Sequence, residues 1–393
     1  MKEYYKLGRE IIKKLNRNGY EAYFVGGFVR DHLLEMEPND IDITTNALPK
    51  EVQKLFDRTR ATGIKYGTIS VFLDDHIFEV TTFRSDMNYQ NHRKPEFVEY
   101  SKNIEDDLKR RDFTINALAM NYEAEIIDLF NGKVDIEKKL IKAIGNPDTR
   151  FNEDALRILR AFRFVSKLGF DIEEKTFESI KNNIMLLTKI SNERILMELN
   201  KIFSYPHCVK ALKVLDKADI SKAFPEFEKA LSILSEKEEY SVNILEFFGL
   251  ALYTSKIDIP LYWRFSNKDK AVINKIVELV SVTQEDKYNE MIIYRLGKDI
   301  CLLANSVSKL INSKNDQEDL INDIYHNLPI YKTCDLKFKG QDILRLTTEK
   351  NAEVIGDIID DLTYQVITRK VKNEYNELKK YTMNLMEKEY GKK

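Results

Sequence analysis

The stretch Tyr23 to Thr45, YFVGGFVRDHLLEMEPNDIDITT, restricts this chain more than any other. An apolar run, Tyr23 to Val25, leads into Gly26-Gly27, and Phe28 to Met36 then has the pattern of a short helix. Glycines at such a corner let a phosphate approach the backbone at a helix N-terminus, where free N–H groups and the dipole favour anions. Asp40 and Asp42 follow, one residue apart, ahead of Ile43, Thr44 and Thr45. If Ile41 to Thr45 is a strand, the alternation of side chains sets both carboxylates on one face and sends Ile41 and Ile43 into the core. A phosphate cradle beside two carboxylates able to clamp a metal ion points to phosphoryl or nucleotidyl transfer. The plainer alternative is that Asp40 and Asp42 cap or turn a solvated loop, the common use of such a triplet. The glycine pair, the helix and the β-branched tail favour the first reading.

The donor set narrows the metal. Five histidines are scattered with no H-x-x-x-H pair, and Cys208, Cys301 and Cys334 are far apart, so neither zinc ligation nor a disulfide framework is indicated. The aspartates therefore suit a hard, oxygen-loving cation, with magnesium the natural candidate. Glu79 could add a third carboxylate or simply face solvent from its strand. The chain has no run of about 18 apolar residues and no signal-peptide pattern, so cytoplasm is expected and membrane is not. A net charge of −2 means that any nucleic-acid surface must be local.

At 393 residues there is room for two or three domains. Residues 3–18 place Leu7, Ile11 and Leu15 on one helical stripe, closed by Asn18-Gly19. TISVFL and HIFEVTTF, around Asp74-Asp75, read as a hairpin within Ala61 to Thr82. Arg84 to Ser101 is polar and aperiodic and reads as a long mobile loop. In Asp107 to Met120, Arg110, Arg111 and Asp112 crowd the start of an expected helix with Ile115, Leu118 and Ala119 inward. Such arginines can grip triphosphate oxygens and an aspartate can take ribose hydroxyls; a solvated charge cluster is the alternative. Ile126 to Asp135 reads as a strand and a glycine-containing turn.

Arg150 to Phe164, RFNEDALRILRAFRF, reads as one helix with Leu156, Leu159, Ala161 and Phe162 in a core. Asp154 and Arg157 then share a face, as a surface ion pair or as a reader of bases. A carboxylate accepts from the exocyclic amines of cytosine and adenine, and a guanidinium donates to their ring acceptors. Uracil and guanine set carbonyl oxygens against the carboxylate and are repelled. Glu153, Arg160 and Arg163 could steady that pair or make structural ion pairs.

GGFVRDHLL…DIDITT, RRDFTINAL, IIDLFNG..D, EDALRILRAFRF and ISNERILMEL together resemble the five successive motifs of the class II tRNA nucleotidyltransferases, the CCA-adding enzymes and their poly(A) polymerase relatives. The match spans roughly residues 20–205 in the family's order. The resemblance implies an α+β chain: a DNA-polymerase-beta-like nucleotidyltransferase head with a small mixed sheet and helices, over 1–140. After it come a helical neck carrying the base template (141–205), an all-α body (206–330) and a tRNA-binding tail (331–393). It implies template-independent addition of CCA to the 3′ end of tRNA from CTP and ATP. Asp40 and Asp42 would bind magnesium; Gly26, Gly27 and Arg30 would hold the triphosphate; Arg111, Asp112 and Asn116 would contact phosphate and ribose. Asp154 and Arg157 would read the base, with Arg160 and Arg163 beside them in the nucleotide site. Glu193 and Arg194 would stabilise the turn behind that template.

Past Phe203 the chain reads as successive helices. Trp263 suits packing better than base stacking. The tail carries Lys337, Lys339, Lys370 and Lys372, fitted to RNA phosphates or to plain helix surface, and lacks the family's proline-glycine near Asn351. Alternatives are addition of the terminal A alone, a poly(A) polymerase, and an inactive RNA-binding relative. The retained loop at 84–101 disfavours a CC-only enzyme, and the retained Asp40 and Asp42 disfavour an inactive one. Oligomeric state is not encoded in any motif.

Overall fold

The apolar stripe near the N-terminus becomes helix α1, Lys2–Arg17, with Ile11 and Leu15 buried and Gly19 closing it at a φ of 84°. Gly8 on α1 lets the helix approach the sheet, because a Cβ there would lie 2.8 Å from the Phe24 ring. This computed structural model describes residues 2–38, 40–63, 66–89, 95–283, 287–346 and 352–389.

The first nine strands are β1 (Ala22–Val25), β2 (Asp42–Thr45), β3 (Thr59–Gly63), β4 (Thr68–Leu73), β5 (His76–Thr82), β6 (Arg84–Tyr89), β7 (Pro95–Tyr100), β8 (Leu118–Met120) and β9 (Ile126–Asp128), and a short parallel pair, Leu140–Ile141 with Asp171–Ile172, follows. Seven of them form a mixed sheet in the order β3-β4-β5-β2-β1-β8-β9, in which β2 and β5 run parallel. The hairpin around Asp74-Asp75 is β4–β5, with Leu73 opposite His76. Val25 pairs with Asp42, so the glycine corner after β1 and the aspartates at the start of β2 meet at one end of the sheet.

Four expectations differ from the structure. Arg84 to Ser101 is largely a two-stranded ribbon, β6 paired antiparallel to β7, rather than a loop. Backbone pairing in such a ribbon needs no apolar alternation, so polar composition conceals it. Arg93 and Lys94 lie outside the described residues.

In 107–120 the helix comes first, and Leu118–Ala119–Met120 is a strand buried between β1 and β9. A short apolar run does not distinguish a helix from a central strand. The helices here are α2 (Gly27–Leu33), α3 (Pro49–Leu55), α4 (Ile104–Lys109) and α5 (Gly132–Glu137), the last standing where only a turn was expected.

The single helix expected over 150–164 is two, α6 (Pro147–Glu153) and α7 (Leu156–Leu168), parted at Asp154. Asp154 is extended, at φ −141° and ψ 102°, and its carboxylate accepts from the Leu156 N–H, the substitute an aspartate offers for a helical bond. Helices α8 (Glu174–Asn183) and α9 (Asn192–Phe203) follow.

The chain divides into two compact units, residues 1–241 with 261–264, and residues 242–260 with 265–393. The first holds the sheet and α1 to α9. Within it Trp263 is fully buried between Phe224 and Phe227 and donates its indole N–H to Glu226, which makes it a packing residue. The second is helical throughout its described residues, from Ile244–Ser255 to Tyr375–Glu389. No helix among the described residues is long and apolar enough to cross a membrane.

Candidate active site

Asp40 is exposed just before β2, and Asp42 is half-buried as its first residue, while Ile41 and Ile43 are buried as the alternation requires. Glu79 pairs with Asp42 across the parallel β2–β5 ladder, which puts it on the same face of the sheet. Burial, then Asp40 and Glu79, push the Asp42 carboxyl up to about 6, with Arg111 pulling the other way. Among the described residues no group of three His, Cys, Asp or Glu side chains stands close enough together to hold a metal ion.

Gly26 turns the chain into α2 at φ 68° and ψ −129°. A Cβ there would lie 2.9 Å from Arg111 Nη1, so the glycine makes room for that guanidinium beside the aspartates. Arg111 Nη2 donates to Asp107 Oδ2 at 2.9 Å, and Arg110 donates to Asp107 Oδ1 through Nε and Nη2. Asp107 is fully buried; burial would raise its carboxyl, but the two arginines outweigh burial and hold it below the ordinary value. Arg111 Nε is buried with no hydrogen-bond partner among the described residues.

Arg30 is in the cleft wall but 2% exposed, and every guanidinium nitrogen is engaged. Its Nε and Nη2 donate to Asp31 Oδ1, and its Nη1 donates to Asn116 Oδ1 at 2.5 Å. Asn116 Nδ2 donates to Asp112 Oδ1, whose other oxygen accepts from Arg160 Nε at 2.6 Å. Against a burial effect that would raise it, Arg160 and Arg157 hold the Asp112 carboxyl at about 2.

At the α6–α7 junction Asp154 accepts from Arg194 Nη2, at 3.0 Å to Oδ2. Arg157 donates through Nη1 to Glu153 at 2.6 Å and through Nη2 to the Arg110 carbonyl at 2.8 Å. Arg163 pairs with Glu198 at 3.0 Å. The extended backbone at Asp154 frees its side chain from the helix wall while Arg194 sets its direction, so both Asp154 and Arg157 face the same cleft.

That cleft has a volume of about 740 Å³. Of the residues expected from sequence, Gly26, Gly27, Arg30, Asp40, Asp42, Arg111, Asp112, Asn116, Asp154, Arg157, Arg160 and Arg163 all line it, and Glu79 does not. Ten arginines and lysines against four aspartates give it a strongly positive lining in a chain of net charge −2, which suits an anionic ligand. Sequence reasoning missed Asp31, Asp107, Lys167 and the Arg194 contact to Asp154. Asp31 stood in the first motif beside Arg30, and Arg194 in the last; Lys167 carries no sequence signal.

Comparison with known proteins bears on this cleft. Residues 22–142 match the family described as Poly A polymerase head domain, 169–231 the probable RNA and SrmB-binding site of polymerase A, and 261–381 a putative tRNA nucleotidyltransferase domain 2. The chain is 35% identical over 384 residues to the CCA-adding enzyme of Bacillus cytotoxicus, covering 95% of this chain and 96% of the relative. It is 37% identical over 375 residues to that of Limosilactobacillus reuteri, covering 93% of each. Among solved structures, the Bacillus stearothermophilus CCA-adding enzyme in complex with CTP superposes with a TM-score of 0.85 at 29% identity over 100% of both chains. The Thermotoga maritima CCA-adding enzyme complexed with tRNA_CCA shares the fold, with a TM-score of 0.70 at 22% identity, over 97% of this chain and 95% of that one.

Proposed function

The chain belongs to the CCA-adding enzyme family, and from that membership we propose that Asp40 and Asp42 carry the chemical step while the α6–α7 junction selects the base. The enzyme is a tRNA nucleotidyltransferase that adds C, C and A to the 3′ end of tRNA from CTP and ATP without a nucleic-acid template. Relatives of that name match it across more than nine-tenths of both lengths. In each cycle the terminal 3′-oxygen attacks the α-phosphorus of the nucleotide, the bond to the bridging oxygen breaks, and pyrophosphate leaves.

Asp40 and Asp42 fit a divalent cation, with Glu79 on the same sheet face but outside the cleft lining. Their donors are all oxygen, and the Asp42 carboxyl is raised first by burial and then by the nearby Asp40, a negative charge that a cation would offset. Magnesium held there would favour ionisation of the attacking hydroxyl and neutralise charge on the departing pyrophosphate. Arg111, with its unbonded Nε, would grip the triphosphate at the Gly26-Gly27 corner. Asp112 and Asn116 would meet the ribose, and Arg160 and Arg163 would face the nucleotide's negative charge. Asp154 and Arg157 would accept cytosine and adenine and repel uracil and guanine.

The single observation that carries this reading is that one basic cleft is lined at once by the aspartate pair, the glycine corner and the Asp154–Arg157 junction. We also propose the division into head (1–140), neck (141–205), body (206–330) and tRNA-binding tail (331–393), and a cytoplasmic site of action, consistent with three unpaired cysteines.

The test is incorporation of labelled CTP and ATP, apart and together, into tRNAs ending at the discriminator base, after C and after CC, with and without magnesium. Two C residues and a single A are expected, in magnesium only. Asp40→Ala and Asp42→Ala should each abolish transfer; unchanged activity in either would sink the metal assignment.

A further inference from the structure

The polar contacts around the Phe164 ring close into a circuit. Lys167 Nζ donates to Asp31 Oδ2 at 2.9 Å. Asp31 Oδ1 accepts from Arg30 Nε at 2.8 Å and Nη2 at 2.6 Å. Arg30 Nη1 donates to Asn116 Oδ1 at 2.5 Å, Asn116 Nδ2 donates to Asp112 Oδ1 at 3.3 Å, and Arg160 Nε donates to Asp112 Oδ2 at 2.6 Å. The guanidinium groups of Arg30 and Arg160 lie over the Phe164 ring, 5.3 and 5.8 Å from its centroid.

The circuit begins and ends on α7. Lys167 and Arg160 are two turns apart on one face, about 10 Å along the axis. One anchor would leave the helix free to pivot; two anchors set both its position and its tilt. The first, Arg160 to Asp112, lies inside the nucleotide site, where a ribose hydroxyl would compete for the same carboxylate. In the second the carboxylate is out of a ligand's reach, although Lys167 itself lines the cleft. Asp31 is 3% exposed, is absent from the cleft lining, and faces two cations with one carboxylate.

We infer that Asp31 is a positioning residue for base selection. Through Lys167 and Arg30 it holds α7, and with it the Asp154–Arg157 junction at the start of α7, in register with the Gly26-Gly27 corner while the nucleotide occupies Asp112. This role rests on the base-reading assignment above. Asp31 touches neither nucleotide nor RNA; it acts by keeping the reader and the reacting phosphorus at a constant separation.

The test is steady-state incorporation of CTP, UTP and ATP by wild type, Asp31→Asn, Lys167→Gln and the double variant, with Asp154→Ala as reference and thermal melting of each. Asp31→Asn should lower kcat for CTP and ATP by about 10- to 100-fold, the scale set by ångström misplacement of a reacting group. It should narrow the CTP-over-UTP ratio of kcat/KM by about tenfold, the scale of one well-placed hydrogen bond, and leave the KM for tRNA within about twofold. Lys167→Gln should do the same, and the double variant should be no worse than the more impaired single one, because both break one link. A lowered melting temperature with unchanged kcat and discrimination overturns the role. If Asp31→Asn does not fold, Lys167→Gln, whose side chain is partly exposed, decides the matter by the same readouts. Loss of discrimination in Asp154→Ala alone overturns the positioning role and leaves base reading intact. Retained discrimination in Asp154→Ala overturns the base-reading assignment and the positioning role with it.

Discussion

Asp42 and Asp112 are both aspartates in one cleft, and their surroundings drive them in opposite directions. Asp42 is raised to about 6 by burial and then by its carboxylate neighbours; Asp112 is also buried but has Arg160 and Arg157 and is held at about 2. A depressed carboxyl contributes stability that is complete above its unfolded pKa of 3.8 and disappears as pH falls through the folded value of about 2. A shift of this size is worth roughly 2 kcal/mol. The stability gap between wild type and Asp112→Asn, measured by denaturant titration, should therefore narrow as pH falls from about 5 to about 2. A gap that stayed flat would show that the arginine contacts do not stabilise the fold. Gly26→Ala tests the corner: its φ of 68° is hostile to a side chain, and the Cβ would meet Arg111 Nη1 at 2.9 Å. A loss of about 1–3 kcal/mol is expected from the strained backbone, together with a fall in kcat/KM from the displaced arginine. Gly27→Ala, whose Cβ would have ordinary clearance of 3.5 Å, should cost less in melting temperature.

Between elements, the break that separates α6 from α7 matters more than either helix. Had 150–164 been one helix, Asp154 would have been fixed against the helical wall. Instead its backbone is extended and its side chain is steered by Arg194 from α9, forty residues on. Removing that guanidinium in Arg194→Met forfeits a charge-assisted bond worth about 1.5–3 kcal/mol where the Asp154 carboxylate is held. CTP-over-UTP discrimination should fall in this variant while magnesium-dependent transfer persists, as competition between labelled nucleotides would reveal. Unaltered discrimination would mean that Arg194 braces the helix and nothing else. The motifs at 154 and 194 were both readable in sequence; their contact was not, since nothing in either segment states how the two helices pack.

For the molecule as a whole, recognition of tRNA has to be local in a chain of net charge −2. In the helical unit, Lys337 donates its backbone N–H to Asn373 Oδ1 at 2.9 Å, and Asn373 Nδ2 donates to the Asp335 carbonyl at 3.0 Å. These bonds draw the segment bearing Lys337 and Lys339 towards that bearing Lys370 and Lys372, and all four lysines are exposed. We expect this patch to meet tRNA phosphates. In Lys370→Gln/Lys372→Gln the salt dependence of tRNA binding should weaken, the slope of log affinity against log salt falling by about 1 for each phosphate no longer neutralised, with kcat at saturating tRNA unchanged. An unaltered slope would assign Lys370 and Lys372 to helix surface.

Periodicity and motif order in the sequence determined the mixed sheet, the β4–β5 hairpin, the aspartate pair at the head of its strand and the cast of cleft residues. The hairpin and the aspartate pair rest on local rules, alternation and turn chemistry; the mixed sheet and most of the cleft residues rest on the resemblance of the five motifs to a known family. Tertiary structure alone decided that Arg30 is locked rather than free, that Asp107 organises the two arginines, that the helix expected over 150–164 is broken, and that Lys167 closes a circuit with Asp31 across 136 residues of chain. Each is a long-range pairing of buried charges. A single sequence lists the charges without saying which of them burial brings within reach of one another.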